Sequence, residues 1–542
     1  MVTSLQSKSA EAPPLGCAAP GAWTSKPRAA ASGSSSSTPQ ACAVVPGTND
    51  HCPVWTASYD NPTADSAANQ LAGDDEPHGF RIAGDRFYIA GNSRDSTNTR
   101  YEMFIAAYDR STGAQRWAQR WHDPDGDSDT AWNVATSPSG DRAFITGQRC
   151  VSGYCFVETV AYDSAGNQLW STSYHDAGGG NDLTGSIAVS ADGSRVFVAG
   201  GQQPDWNRGS SVAQYVTIAY DAATGVQQWL QTYQGPLRAD GNNLSQVRRL
   251  AVAPDGQAVY AGGLASASDS QIDTFTVIAY DPVTGSQLWR SDYAHQNVDA
   301  LDDMVLTPDG SRLYLAGLDR TCNGPCSVAT DSYATVALDA GSGAQLWSNV
   351  ASDIGDVNRM ALSPDGTTVY VTGVGYAQTD NNYQAATVAV NTVDGSQRWL
   401  VDTLAAGGDG WANDVTATTT AAVIAVVSEF GGAAYQTVAL DELTGQKAWS
   451  ALYSPDPGND VDNPWFVRAT ADGWVLVAGL LGQEVDPANG ASNDIDAFAF
   501  AYQVSAPAVD TPEALPGAGA LLGAGFIAAV MAFSRRRPRH GG

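Results

Sequence analysis

Apolar residues along this chain fall in short runs with no helical period. TVIAY at 276–280, VYVTG at 369–373 and RVFVAGG at 195–201 are β-branched or aromatic, and Gly, Asp or Pro bounds each of them. Runs this short between turn residues predict strands. Their order repeats. An Asp/Gly-rich lead precedes a short strand and a turn, then a second strand ending in Gly and a loop. A third strand like TVAYD follows, then a turn and a fourth strand centred on tryptophan. The tryptophans are Trp55, Trp117, Trp170, Trp229, Trp289, Trp347, Trp399 and Trp449, spaced 50 to 62 residues apart. Four strands per unit and eight units follow.

The turns support the same count. SPSG at Ser137, SADG at Ser190, APDG at Ala253, TPDG at Thr307, SPDG at Ser363 and TADG at Thr470 place Gly where a tight hairpin needs it. The first unit has only AGD at Ala83, and the seventh has TTTAA at Thr418. Strands that are apolar at nearly every position need cover on both faces. Small sheets packed face to face around an axis provide it. The expected fold is therefore all-β: an eight-bladed β-propeller with four-stranded antiparallel blades. A solenoid and two smaller propellers are the alternatives. The register argues against both, because the chain supplies a tryptophan strand first (CPVWTASYD) and stops after a third strand (DAFAFAYQV). Trp55 should complete the last blade and close the ring without an open sheet edge.

Four segments, AYDRSTGAQRW from Ala107, AYDAATGVQQW from Ala219, AYDPVTGSQLW from Ala279 and ALDELTGQKAW from Ala439, resemble the tryptophan-docking motif A-x-D-x-x-T-G-x-x-x-W of PQQ-type propellers. ALDAGSGAQLW, AYDSAGNQLW and AVNTVDGSQRW depart from it in part. The first half of each unit is also similar to the propeller repeats of bacterial surface proteins. In such a family the motif packs one blade on the next, so the eight tryptophans are expected to be structural. Quinoprotein dehydrogenases of this shape stack PQQ on a disulfide between adjacent cysteines. This chain has no Cys-Cys pair and no recognisable set of calcium-ligating Glu and Asn with a catalytic Asp, which speaks against PQQ.

The formal charge is −29, and Lys8, Lys26 and Lys447 are the only lysines. Such a surface repels phosphate backbones and excludes nucleic acid as a partner. Cys150 with Cys155 and Cys322 with Cys326 each bracket a short loop between the second and third strands. Cys42 with Cys52 is a third pair. Disulfides in an oxidising compartment are the first reading, with zinc as the competitor. Residues 1–50, rich in Ser, Pro and Ala, are expected to be disordered, and 51–504 to form the propeller. A linker at 505–514 leads to an apolar stretch at 515–534, long enough for a transmembrane helix or a sorting signal. The basic tail at 535–542 would then be cytoplasmic and the propeller extracytoplasmic, on the cell surface.

The lead segments of the units are acidic. GDDEP at Gly73, DPDGDSD at Asp123, GGGNDL at Gly178, ALDD at Ala300, GDGWAND at Gly408 and DPGNDVDN at Asp456 are read as loops gathered on one face. Asp123, Asp125, Asp127 and Asp129 alternate as ligands for a hard cation would, making Ca²⁺ the candidate metal against a solvated acidic loop. His122, His175 and His295 recur after the tryptophan strand, an effect of repetition more than of metal binding. No G-x-S-x-G, H-E-x-x-H, Walker or Rossmann pattern occurs. Two functions follow. The first is a monomeric, surface-anchored, non-catalytic propeller binding a protein or glycan through its loop face. The alternative is a PQQ-type oxidoreductase or other propeller enzyme with its site in the central channel.

Overall fold

The computed structural model describes residues 17–18, 53–59 and 75–504, apart from 96–99, 176–180, 204–212, 239–242, 244, 268–272, 295–297, 323–328, 352–353, 377–382, 403–409, 429–433, 455–462 and 483–494. It is an eight-bladed propeller of four-stranded antiparallel blades. The innermost strands, in blade order, are Asp75–Ala83, Ser128–Thr136, Asn181–Val189, Ser245–Val252, Val298–Leu306, Ile354–Leu362, Gly410–Ala417 and Asn463–Ala469. A two-residue strand, Cys17–Ala18, lies parallel to the outer strand of the seventh blade. Cys42, Cys52, Cys326, His295 and the apolar stretch at 515–534 lie outside the described residues. Among the described residues, no helix is long and apolar enough to cross a membrane.

The ring closes as the register requires. Trp55–Tyr59 pairs antiparallel with Ile495–Gln503, with Trp55 opposite Ala501, and supplies the outer strand of the last blade. The seam is reinforced. Tyr59 stacks on Phe104 of the first blade at 4.2 Å, and Arg110 makes a two-pronged pair with Asp472 of the eighth, at 3.0 and 2.7 Å.

There is no single central core. Eight apolar clusters each join one blade to the next, including one across the seam that combines Trp55, Phe80, Phe87 and Phe466. Each sheet is thus covered on both faces, which is why its strands are apolar throughout.

The tryptophans are the joints. Seven of them, from Trp55 to Trp399, donate their indole N–H to a backbone carbonyl in the third-to-fourth-strand turn of the next blade. Trp229, for example, bonds Pro282 O at 3.0 Å. Each indole lies over the glycine of that turn, and a Cβ on Gly285 would sit 2.8 Å from Trp229 Cδ2. The same glycine has φ of +71°, so two independent constraints select it. Asp281 folds the turn by accepting from the amides of Val283 and Thr284 and the hydroxyl of Thr284. Trp449 faces the last blade, whose third and fourth strands come from opposite ends of the chain, so no such turn glycine exists there.

Candidate functional site

All eight innermost strands break register at the same place. The bulged residues are His78, Trp132, Gly185, Arg248, Asp302, Asn358, Asn413 and Trp465. A bulge leaves one residue unpaired and re-aims its side chain. Here seven of the eight line the central channel, a cavity of about 930 Å³. The wall they form is uneven. Blades eight, one and two contribute Trp465, His78 and Trp132, with the imidazole 5.6 and 4.6 Å from the two indoles. His78 also hydrogen-bonds Asn92, and burial lowers its pKa, so this sector is neutral and aromatic. Blade four, opposite Trp465, contributes Arg248.

One residue further along the strands runs a charged belt. Arg249 donates to Asp303 at 2.6 Å, and the other Asp303 oxygen accepts Met360 N of the next blade at 2.9 Å. Asp414 accepts Val467 N of its next blade at 3.0 Å and pairs with Arg468. Both carboxylates therefore tie neighbouring blades together with every oxygen engaged. Between them lies Arg359, whose pKa burial and the nearby Arg249 push down to about 10 against the pull of Asp303 and Asp414. Arg81 lies two residues beyond the belt and reaches solvent; partial desolvation against the wall, and then Arg468, lower its pKa.

Among the described residues, the channel wall carries five arginines, Arg81, Arg248, Arg249, Arg359 and Arg468, against two aspartates. Asp303 and Asp414 satisfy Arg249 and Arg468. Arg81, Arg248 and Arg359 form no ion pair among the described residues, and the buried Arg248 Nε has no hydrogen-bond partner. A protein of charge −29 thus encloses a cationic channel.

The acidic segments map differently from expectation. Asp303 and Asp414, read as loop residues, sit inside strands as blade-to-blade ties. Asp302 sits beside Arg248 in the bulge ring, its pKa raised to about 6 by burial. Asp123, Asp125, Asp127 and Asp129 do not turn to one side. Asp123 pairs with Arg149 and caps Asp125 N at 3.0 Å, Asp125 and Asp127 are exposed, and Asp129 is buried. His122 faces Glu102 and His175 stacks on Phe156, in separate blades. Cys150 and Cys155 are disulfide-bonded at a hairpin tip in blade two.

Sequence reading missed the arginines. Their signal is a basic residue inside the first strand of a unit, as in GFRIA, QVRRLAV, DVNRMAL and FVRAT, in a chain nearly free of lysine.

A family model described as outer membrane protein assembly factor BamB, of the PQQ_2 class, matches residues 102–271, 212–428 and 273–472. The chain belongs to this PQQ-like propeller family. No curated protein matches it. Among solved structures the PQQ-like chain is similar in fold to three others. One is a europium-containing methanol dehydrogenase (14% identity, TM-score 0.47, 84% of this chain and 93% of the other). The second is the quinohemoprotein alcohol dehydrogenase of Comamonas testosteroni (12%, 0.46, 84% and 78%). The third is the Dos1 propeller (12%, 0.48, 80% and 93%).

The family raises the question of a quinone cofactor. The aromatic sector and unpaired arginines suit a planar polycarboxylate. The remaining requirements are not met. Among the described residues, both channel carboxylates are committed to backbone amides and arginines, and no cysteine lines the channel. Among the described residues, no three His, Cys, Asp or Glu side chains gather as a metal site. The residues fit a planar acid as ligand and do not fit calcium-assisted quinone chemistry.

Proposed function

We propose that this protein is a binding propeller whose working site is the central channel, and that the channel takes a small anionic ligand. The observation that carries this is the set of three guanidinium groups, Arg81, Arg248 and Arg359 of blades one, four and six, that line one channel and form no ion pair among the described residues. Like charges lining one channel repel, and an anion placed among them offsets that repulsion. Guanidinium forks bind carboxylate or phosphate in two-pronged fashion, and narrow walls focus the field on the channel axis. His78, Trp132 and Trp465 add an aromatic stretch of wall across blades eight, one and two.

The proposal moves the site from the loop face to the channel, where the oxidoreductase alternative placed it. A family named for an assembly factor supports a propeller that works by binding. The apolar stretch at 515–534 followed by arginines supports placing it at the cell surface. A quinone-dependent oxidoreductase is the second reading, favoured by the PQQ-type family match and by the fit of a planar acid to the wall.

Titration calorimetry with PQQ, benzene-1,3,5-tricarboxylate and citrate tests both readings, using wild type and Arg81→Gln with Arg248→Gln. The binding reading expects saturable heat with at least one of these acids, weakened at least tenfold in the double variant. Equal affinity in wild type and variant would remove the channel from the account. Dye reduction with alcohols in PQQ-loaded protein would establish the second reading.

A further inference from the structure

A second cavity lies apart from the channel, where Tyr101 and Glu102 of the first blade meet the turn from Asp123 to Asp129. It has a volume of about 130 Å³, and among the described residues five carboxylates, Asp95, Glu102, Asp123, Asp127 and Asp129, line it beside Arg100 and His122. Two of the five are internally compensated, since Glu102 pairs with Arg120 and Asp123 with Arg149. Asp127 and Asp129 form no ion pair among the described residues.

Asp129 distinguishes this cavity from an ordinary acidic surface. Its side chain is 2% exposed. One oxygen, Oδ2, accepts Asp123 N at 3.0 Å, while the other, Oδ1, is buried without any hydrogen-bond partner. Gly126, which also lines the cavity, brings its backbone close to this oxygen: a Cβ there would lie 3.5 Å from Oδ1. A carboxylate oxygen with no donor is costly to bury, and a cation is a partner that lowers the cost.

We infer that this cavity binds a partly hydrated divalent cation, with Asp129 Oδ1 as the direct buried ligand and Asp127 at the exposed side. The volume holds a cation with a few waters, at about 30 Å³ per water. A site built from one or two carboxylates with water completing the shell suits Mg²⁺, and Ca²⁺ with more water. The geometry differs from an alternating four-aspartate loop, because Asp125 lies outside the cavity lining and only its amide is engaged.

The test uses the full chain, freed of metal, and terbium as the probe, with emission excited through Tyr101 in the lining. Saturable emission at micromolar to millimolar Tb³⁺, displaced by millimolar Ca²⁺ or Mg²⁺, is the expected result. Asp129→Asn keeps the acceptor for Asp123 N and should weaken Tb³⁺ at least tenfold. Asp127→Asn should weaken it several-fold, and Asp125→Asn should leave it unchanged. Circular dichroism checks folding of each variant, and if Asp129→Asn fails to fold, Asp127→Asn decides. Emission absent in wild type, or undiminished in Asp129→Asn or, failing that, in Asp127→Asn, would overturn the inference. It would then leave Asp129 as a buried acid that takes a proton instead.

Discussion

Substituting Gly285 by Ala measures what a single tryptophan joint contributes. Gly285 has φ of +71°, and an added Cβ would lie 2.8 Å from Trp229 Cδ2 and 2.9 Å from its Cγ. The left-handed backbone costs an alanine about 1–2 kcal/mol. Displacing a packed indole adds about 1–3 kcal/mol, and disturbing the Trp229 bond to Pro282 O adds about 1 kcal/mol. The total is about 3–6 kcal/mol. Gly256 supplies the control: its φ is +72°, and nothing lies within 4 Å of the Cβ it would gain, so Gly256→Ala carries the backbone cost alone. Urea unfolding followed by circular dichroism should place Gly285→Ala about 2–4 kcal/mol below Gly256→Ala. Equal losses in the two variants would refute the reasoning, because the indole contact would then contribute nothing.

Other outcomes follow from the same geometry. Removing residues 1–60 deletes Trp55 with its bond to Arg110 O and its stacking on Phe87, and should lower the melting temperature far more than removing 1–40. Equal stability of the two truncations would contradict closure by the N-terminal strand. Glu158 is buried beside Ser173, and burial raises its pKa from 4.5 to about 7. A raised carboxyl binds its proton more tightly when folded, so its contribution to stability falls as pH rises from about 4.5 to about 7 and is lowest above that. The shift corresponds to about 3 kcal/mol. Glu158→Gln should therefore gain stability on wild type at pH 8 relative to pH 5 in melts across that range, and parallel curves would exclude the effect.

The propeller was legible because its determinants are local and repeated. The Asp281 to Gly285 turn, the TPDG hairpins and the spaced tryptophans each state their geometry within a few residues, and eight repetitions remove ambiguity. Ring closure was legible for a related reason: CPVWTASYD and DAFAFAYQV are the two halves of one unit. The channel was not. A bulge is an irregularity of pairing that strand alternation does not encode, so neither the inward turn of Arg248 nor the grouping of His78 with Trp132 and Trp465 follows from the pattern. The acidic segments misled for the same reason. Asp303 and Asp414 look like loop residues by composition, yet the bulge one residue before each directs them to the amides of Met360 and Val467 in the next blade.

Whether the channel is an anion site can be read from crystals soaked in bromide or selenate, through anomalous scattering. A peak inside the channel within hydrogen-bonding reach of Arg248, Arg359 or Arg81, absent from Arg81→Gln with Arg248→Gln, is the expected result. Anion peaks confined to the outer surface, with the channel free of them at the same soaking concentration, would contradict it.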